Sequence, residues 1–109
     1  MYHIKKILIG LDFSYMDETV VKYTSFISKY LHPNELLFIH VDEEEDKPEP
    51  GKGSEEQLRE TVEAILGPDP GIKWSTAILE GSGYSPFLSY ATENDVDMII
   101  VGEKDPERG

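Results

Sequence analysis

Cysteine is absent from the 109-residue sequence. Disulfide bonds, thiol catalysis and cysteine-based zinc sites are therefore excluded. Positive charge is also scarce: the chain has 10 Lys and Arg against 22 Asp and Glu, which gives a formal net charge of −12. Because nucleic-acid binding rests on neutralising phosphates with Lys and Arg, we expect no nucleic-acid partner. A small nucleotide is compatible with this charge, because backbone N–H groups alone can hold a phosphate.

Long hydrophobic runs are missing as well. The apolar stretch that follows the first lysines, Ile7 to Leu11, is far too short for a signal-peptide core or a membrane span. We therefore expect a cytoplasmic protein without a membrane partner. The length predicts a single domain over residues 1–109, because two domains would need a longer chain.

Seven segments of the sequence carry the periodicity of strands or helices. The predicted strands are Ile4 to Leu11, Glu35 to Val41, Ile72 to Leu79 and Val96 to Val101. Apolar residues at helical spacing predict one helix after each of the first three strands. Strands and helices that alternate with short links indicate an α/β fold with a mainly parallel sheet.

Capping and breaking residues predict where the helices begin and end. Ser14 or Asp17 is placed to cap the first helix, because each offers a side-chain oxygen to free N–H groups. Pro33 predicts that this helix ends near Leu31. The start signals of the second and third helices are the capping box Ser54–Gln57 and the pair Ser85–Pro86.

Each predicted helix has an apolar stripe that we expect to face the sheet. The residues of these stripes are Val20, Tyr23, Ile27, Tyr30 and Leu31 in the first helix, Leu58, Val62, Ile65 and Leu66 in the second, and Phe87, Leu88 and Ala91 in the third. Their spacing of three or four positions brings them to one side of each helix.

The stretch KKILIGLDFS places a carboxylate where the first strand opens into a loop. In open parallel sheets, ligands bind beyond the carboxyl ends of the strands, where the strand order reverses. If the first and fourth strands are neighbours, Asp12 and Gly102 face one crevice at such a point. Asp12 could then accept from a ribose hydroxyl or bind Mg²⁺ on a phosphate. Spacing alone leaves a second interpretation equally open, in which Asp12 only caps the next helical turn.

Three stretches of the sequence together resemble the universal stress protein family: ILIGLDFS, LLFIHV and LEGSGYSPFLSYATENDVDMIIVG. The resemblance spans nearly the whole chain and depends on the order and spacing of these stretches. It implies a Rossmann-like open parallel sheet with strand order 3-2-1-4-5 and helices on both faces. It also implies a homodimer, and in many members of the family the binding of ATP.

The resemblance assigns three residues to a nucleotide site. Asp12 matches the acid at the end of the first strand, which lies near the nucleotide. Val41 matches a residue of the second strand whose backbone meets adenine. Gly102 matches the first glycine of a phosphate-binding loop of the form G-x-x-G-x9-G-(S/T). These three are the cofactor-binding residues expected here, with ATP and Mg²⁺ as the cofactor.

The rest of that phosphate loop departs from the family pattern. Asp105 stands where the second glycine belongs, Pro106 follows it, and the sequence given stops at Gly109. The third glycine and the fifth strand therefore have no counterpart, as in a domain shortened at its C-terminus. Asp105 would repel a phosphate by about 4 kcal/mol per pair of unit charges at 4 Å and an effective dielectric near 20. We therefore expect only weak binding of ATP.

Three functions remain as expectations. The first is a universal stress protein-like domain in stress response or signalling, with weak adenine-nucleotide binding and at most slow ATP hydrolysis. The second is a dimerisation or regulatory module that binds no nucleotide. The third, less favoured, is a phosphoryl-transfer or receiver-type domain, which lacks support because Ser14 replaces the second acid of a D-x-D motif. We expect no catalytic residues and no metal ligands beyond those of a bound nucleotide.

Overall fold

The computed structural model describes residues 3–42 and 55–102 of the chain. Within this part, no helix combines the length and the apolar character needed to cross a membrane. Two sequence-based predictions fall on other residues: the start of the capping box at Ser54 and the effect of Asp105. They lie outside the described residues.

Strands and helices alternate along the described chain as predicted. The elements are β1 (Lys6–Gly10), α1 (Met16–Leu31), β2 (Glu35–Asp42), α2 (Glu55–Leu66), β3 (Lys73–Glu80), α3 (Ser85–Glu93) and β4 (Met98–Val101). The four strands form one sheet in the order β3-β2-β1-β4. All three pairings are parallel. The predicted α/β class, the parallel sheet and the order 3-2-1-4 are confirmed.

Alternate residues of the central strands supply two separate cores. On one face of the sheet, Ile7 and Ile9 of β1 pack with residues of α1 and α2, including Val21 and Leu58. On the other face, Leu8 packs with Phe87 and Ala91 of α3. Both faces of β1 are fully buried, which explains its uninterrupted apolar sequence. Helices therefore cover both sides of the sheet.

The end of α1 follows the prediction, but the capping residues do not. His32 takes a left-handed conformation with φ of 49° and donates its N–H to the Ser28 carbonyl, so the helix ends at Leu31. Neither Ser14 nor Asp17 caps α1 from the N-cap position, which Tyr15 occupies without a side-chain hydrogen bond. Ser14 Oγ instead accepts the N–H of Met16, and Asp17 lies inside the helix and bonds backward.

The start of α3 is shifted by one residue from its prediction. Tyr84 occupies the N-cap position, again without a side-chain hydrogen bond, and Ser85 already belongs to the helix. The predicted place of Pro86 in the first turn is confirmed. Proline fits there because its missing N–H has no helical partner at that position.

Three residues predicted to face the core are exposed instead. Tyr23 and Tyr30 of α1 are 55% and 71% exposed, and Leu88 of α3 is 59% exposed. The α1 stripe passes over the edge of the sheet, because β4 is the last described strand on that side and no described element covers the stripe beyond it. On α3, contact with the sheet is limited to a narrow stripe around Phe87 and Ala91.

Candidate functional site

The strand order places a reversal point beside β1. From β1 the chain moves outward to β2 and β3, and then crosses back to β4 on the other side of β1. The carboxyl ends of β1 and β4 meet in register, with Gly10 opposite Val101. The condition for the predicted crevice is therefore met, since β1 and β4 are neighbours. Ligands of open α/β sheets bind at such points.

The turn from Leu11 to Tyr15, which we call the β1–α1 turn, leads the chain from β1 into α1. Asp12 is exposed in this turn, and its Oδ1 accepts the N–H of Ser14 at 3.0 Å. Phe13 has a φ of 58°, which is unusual for a bulky side chain. Asp12 thus bonds within the turn and does not cap α1, so the second interpretation is not confirmed, and the Asp12 side chain remains exposed.

Asp17 is the most buried charged residue of this region. Its side chain is 5% exposed, and its two oxygens accept the N–H groups of Asp12 and Phe13 at 3.0 and 2.8 Å. Burial raises the pKa of Asp17 to about 6, because the charged form is poorly solvated there. The nearby Asp12 carboxylate contributes to this rise, whereas the hydrogen bonds from the two backbone N–H groups oppose it.

His40 supports the same turn from β2. Its Nδ1 lies 2.8 Å from the Leu11 carbonyl, and its Nε2 lies 2.8 Å from Asp42 Oδ1. The ring also packs edge-on against Phe13, with the ring centroids 4.4 Å apart. His40 is therefore packed and hydrogen-bonded where β2 meets the turn.

The other two predicted site residues lie at the carboxyl ends of the neighbouring strands. Val41 is half-buried on β2, and its side chain packs with the α3 core. Gly102 directly follows β4 and lies against α1, where an added Cβ would come within 2.7 Å of Val20 Cγ2. Packing against α1 therefore already requires a glycine at position 102, whatever binds nearby.

The possible metal ligands among the described residues suit a metal ion that arrives with a nucleotide better than one held by the protein alone. No group of three or more His, Asp or Glu side chains in the described chain could hold a metal ion. Asp12 can contribute one carboxylate oxygen, and Mg²⁺ commonly takes the rest of its ligands from phosphates and water. The turn thus fits Mg²⁺ only when a nucleotide brings it.

Asp17 and His40 are the residues that sequence reasoning missed in this site. Asp17 was interpreted as a cap for the following helix, yet it bonds to the turn that precedes it. A signal for this role existed: an acid five positions after Asp12 lies in the first turn of α1, within reach of the preceding backbone. For His40, no pattern in the sequence indicates the contact with Leu11.

Two surface cavities lie away from the β1–α1 turn. One of about 350 Å³ lies near the amino ends of β2 and β3, and its lining includes Lys29 and His32. The other, of about 660 Å³, runs along β4 beside α1 and is lined by Tyr23, Ile27, Tyr30, Leu31 and the four residues of β4. We call this second cavity the β4 groove.

The strand order also bears on the phosphoryl-transfer alternative. Receiver-type domains have the order 2-1-3-4-5, in which the third strand is the neighbour of the first. Here β3 lies at the far edge, and Glu80 at its carboxyl end is separated from β1 by β2. Two acids from β1 and β3 therefore do not meet, which counts against a receiver.

The chain was compared with known proteins at both the sequence and the structure level. No protein-family model and no curated protein matches the sequence. The solved structure of MJ0577 matches with a TM-score of 0.77 and 23% identity, over 99% of this chain and 81% of that one. A universal stress protein from Archaeoglobus fulgidus matches with a TM-score of 0.70 and 18% identity, over 98% and 82%. A universal stress protein in complex with cAMP has a TM-score of 0.68 and 14% identity, over 94% and 75%.

The strand order, the parallel pairing and the polar turn at the reversal point define the class of protein. The chain is an open α/β domain of the Rossmann type. Within that class, it has the universal stress protein fold. The fold implied by the three resembling stretches is thereby confirmed.

Proposed function

We propose that this chain is a universal stress protein-like domain that binds an adenine nucleotide at the carboxyl ends of β1 and β4. We further propose that it serves in stress response or signalling. The observation that carries the nucleotide proposal is the exposed carboxylate of Asp12, held by a turn with three side-chain-to-backbone hydrogen bonds at the reversal point of the sheet. The cAMP complex of a protein with the same fold supports an adenine nucleotide as the ligand class.

The proposed contacts divide the nucleotide among three strand ends. A carboxylate has several acceptor positions, so Asp12 can accept a ribose hydroxyl while Oδ1 keeps the Ser14 N–H. The backbone of Val41 would meet the adenine, and the backbone at Gly102 would approach the phosphates. Mg²⁺ would reach the site on the phosphates of ATP, with Asp12 as its protein ligand.

The net charge of −12 and the acid at position 105 predict weak affinity. Calorimetric titration with Mg-ATP and with cAMP tests the proposal, with Asp12→Ala as the variant. Asp69→Ala is the matched control, because it removes an exposed carboxylate from a turn between α2 and β3. We expect binding in the micromolar to millimolar range that Asp12→Ala abolishes and Asp69→Ala preserves. Absence of heat at millimolar nucleotide would overturn the proposal, as would equal affinity in Asp12→Ala.

The β4 groove favours a second function, self-association. Among the described strands, β4 has a neighbour only on its β1 side, so its outer edge presents unpaired backbone groups. Ile99 and Val101 are exposed on this edge, and Tyr23 and Tyr30 flank it. No residue that lines the groove is charged. We propose that a second copy of this chain docks here, because elsewhere the strong negative charge of two copies opposes their approach.

A further inference from the structure

The cavity near the amino ends of β2 and β3, which we call the amino-end cavity, has an apolar side. Its volume is about 350 Å³, and it is lined by the end of α1, the start of β2, the end of α2 and the loop that leads into β3. Three half-buried apolar side chains line it, Leu66, Pro70 and Ile72. Sites for small molecules have mainly apolar walls and volumes from about 300 to about 1,000 Å³. The amino-end cavity is therefore large enough for a small organic molecule with an apolar body.

The polar side of the amino-end cavity belongs to the last turns of α1 and to its C-cap. The polar residues that line it are Ser25, Ser28, Lys29 and His32. The Ser28 hydroxyl already donates to the Thr24 carbonyl at 2.7 Å. The side-chain donors that remain for a ligand are therefore the Lys29 ammonium, the Ser25 hydroxyl and the His32 ring.

Lys29 differs from the other two cations of the described helices. Lys22 and Arg59 each have a glutamate four positions earlier, and each forms an ion pair with it, at 2.8 and 3.8 Å. The residue four positions before Lys29 is Ser25, and Lys29 forms no ion pair with any described residue. The Lys29 ammonium group is therefore free to pair with an anion that enters the cavity, although the chain contains 22 Asp and Glu.

The carbonyl groups at the end of α1 carry partial negative charge, which would oppose an anion beside them. Two features offset this charge. Lys29 is the basic residue of the last turn, and the N–H of His32 bonds to the Ser28 carbonyl at 2.9 Å. No acidic side chain of the described residues lines the cavity. The formal charge at its wall is therefore positive, in contrast to the net charge of the whole chain.

We propose that the amino-end cavity binds the carboxylate of a small organic acid, with the apolar part of that acid against Leu66 and Ile72. Lys29 pairs with the carboxylate, and the Ser25 hydroxyl donates a hydrogen bond to it. One lysine matches one negative charge, and the net charge of −12 opposes ligands with several charges, such as a triphosphate. The amino-end cavity and the proposed nucleotide site lie at opposite ends of the sheet, and neither proposal rests on the other.

Two variants of α1 test whether Lys29 makes the contact. Lys29→Gln removes the charge beside the cavity, and Lys22→Gln removes the same charge from a position two turns earlier that does not line it. Both side chains are exposed, so both variants should fold like the wild type. The affinity for hexanoate, measured by nuclear magnetic resonance, should fall at least about fivefold in Lys29→Gln and stay unchanged in Lys22→Gln. Equal losses in the two variants, or an unchanged affinity in Lys29→Gln, contradict the proposal.

A pair of probes tests the recognition of the carboxylate without any variant. Sodium hexanoate is added to the whole chain, and hexanamide is the uncharged probe with the same apolar part. We expect hexanoate to shift the amide signals of Ser25, Lys29 and Ile72 with a Kd of about 1–10 mM, because so small a probe gains little binding free energy. Hexanamide should bind at least about fivefold more weakly. No shift at high-millimolar hexanoate, equal affinity for the two probes, or shifts centred on the β4 groove would each overturn the proposal.

Discussion

At the scale of single residues, Asp17 shapes the β1–α1 turn, and the ionised form of its side chain lowers the stability of the fold. Its pKa in the folded chain is raised from an ordinary value of 3.8 to about 6. The folded state therefore binds a proton more tightly than the unfolded chain does. The stability linked to this proton is fully present below about pH 4 and is lost as the pH rises through about 6.

This linkage predicts a pH-dependent difference between the wild type and Asp17→Asn. A shift of about two pKa units corresponds to about 3 kcal/mol, so the wild type should lose about that much relative to the variant between pH 4 and pH 7. Urea denaturation at several pH values measures the difference in stability. The other carboxylates titrate in both proteins, so their contributions cancel in this difference. A difference that does not vary with pH would show that Asp17 has an ordinary pKa.

Gly102 supports a second prediction at the residue scale. An alanine at this position would place its Cβ 2.7 Å from Val20 Cγ2, so Gly102→Ala should destabilise the chain by about 1–3 kcal/mol through overcrowding. In a Val20→Ala background the opposing methyl group is gone, and the same change should cost much less. Denaturation of the two single variants and the double variant measures this coupling. If Gly102→Ala lowers the free energy of unfolding equally in both backgrounds, contact with α1 does not restrict the side chain at position 102.

At the scale of elements, the exposed part of the α1 stripe and the edge of β4 form one uncharged surface. Tyr23→Lys adds a charge within it and should weaken self-association at least about tenfold, without loss of folding stability, because Tyr23 is 55% exposed. Leu88→Lys is the matched control, since it adds the same charge at a 59% exposed position on α3, on the opposite face of the sheet. Sedimentation velocity measures both variants. Equal weakening by the two would exclude the β4 groove as the interface.

The elements also show what could be predicted from the sequence. All seven follow from hydrophobic periodicity and from breakers such as Pro33, because these features act within a few neighbouring residues. The inward direction of Tyr23 and Tyr30 was predicted wrongly, because periodicity gives the stripe of a helix and not the point where the sheet beneath it ends. The position of Asp12 at the carboxyl end of β1 was predicted from the sequence, and its role in ligand binding stays a prediction. The contacts made by Asp17 and His40 were not predicted, because they depend on a backward hydrogen bond and on the approach of β2 to the turn.

At the scale of the whole molecule, topology and charge act in opposite directions on a nucleotide. The order β3-β2-β1-β4 places a strand reversal beside β1, where ligands of open α/β sheets bind, and the net charge of −12 opposes any anion that approaches it. Under the proposed function, binding would therefore depend on local groups: the Asp12 carboxylate for a ribose or Mg²⁺, and backbone N–H groups for phosphate.

The most direct measurement is a map of amide chemical-shift changes when Mg-ATP is added to the free protein at pH 7.5. The account predicts that the largest changes lie at the carboxyl ends of β1, β2 and β4, around Asp12, Val41 and Gly102. Changes centred on Lys29 and His32, in the cavity near the amino ends of β2 and β3, would contradict the central claim. So would a spectrum that does not change at millimolar nucleotide.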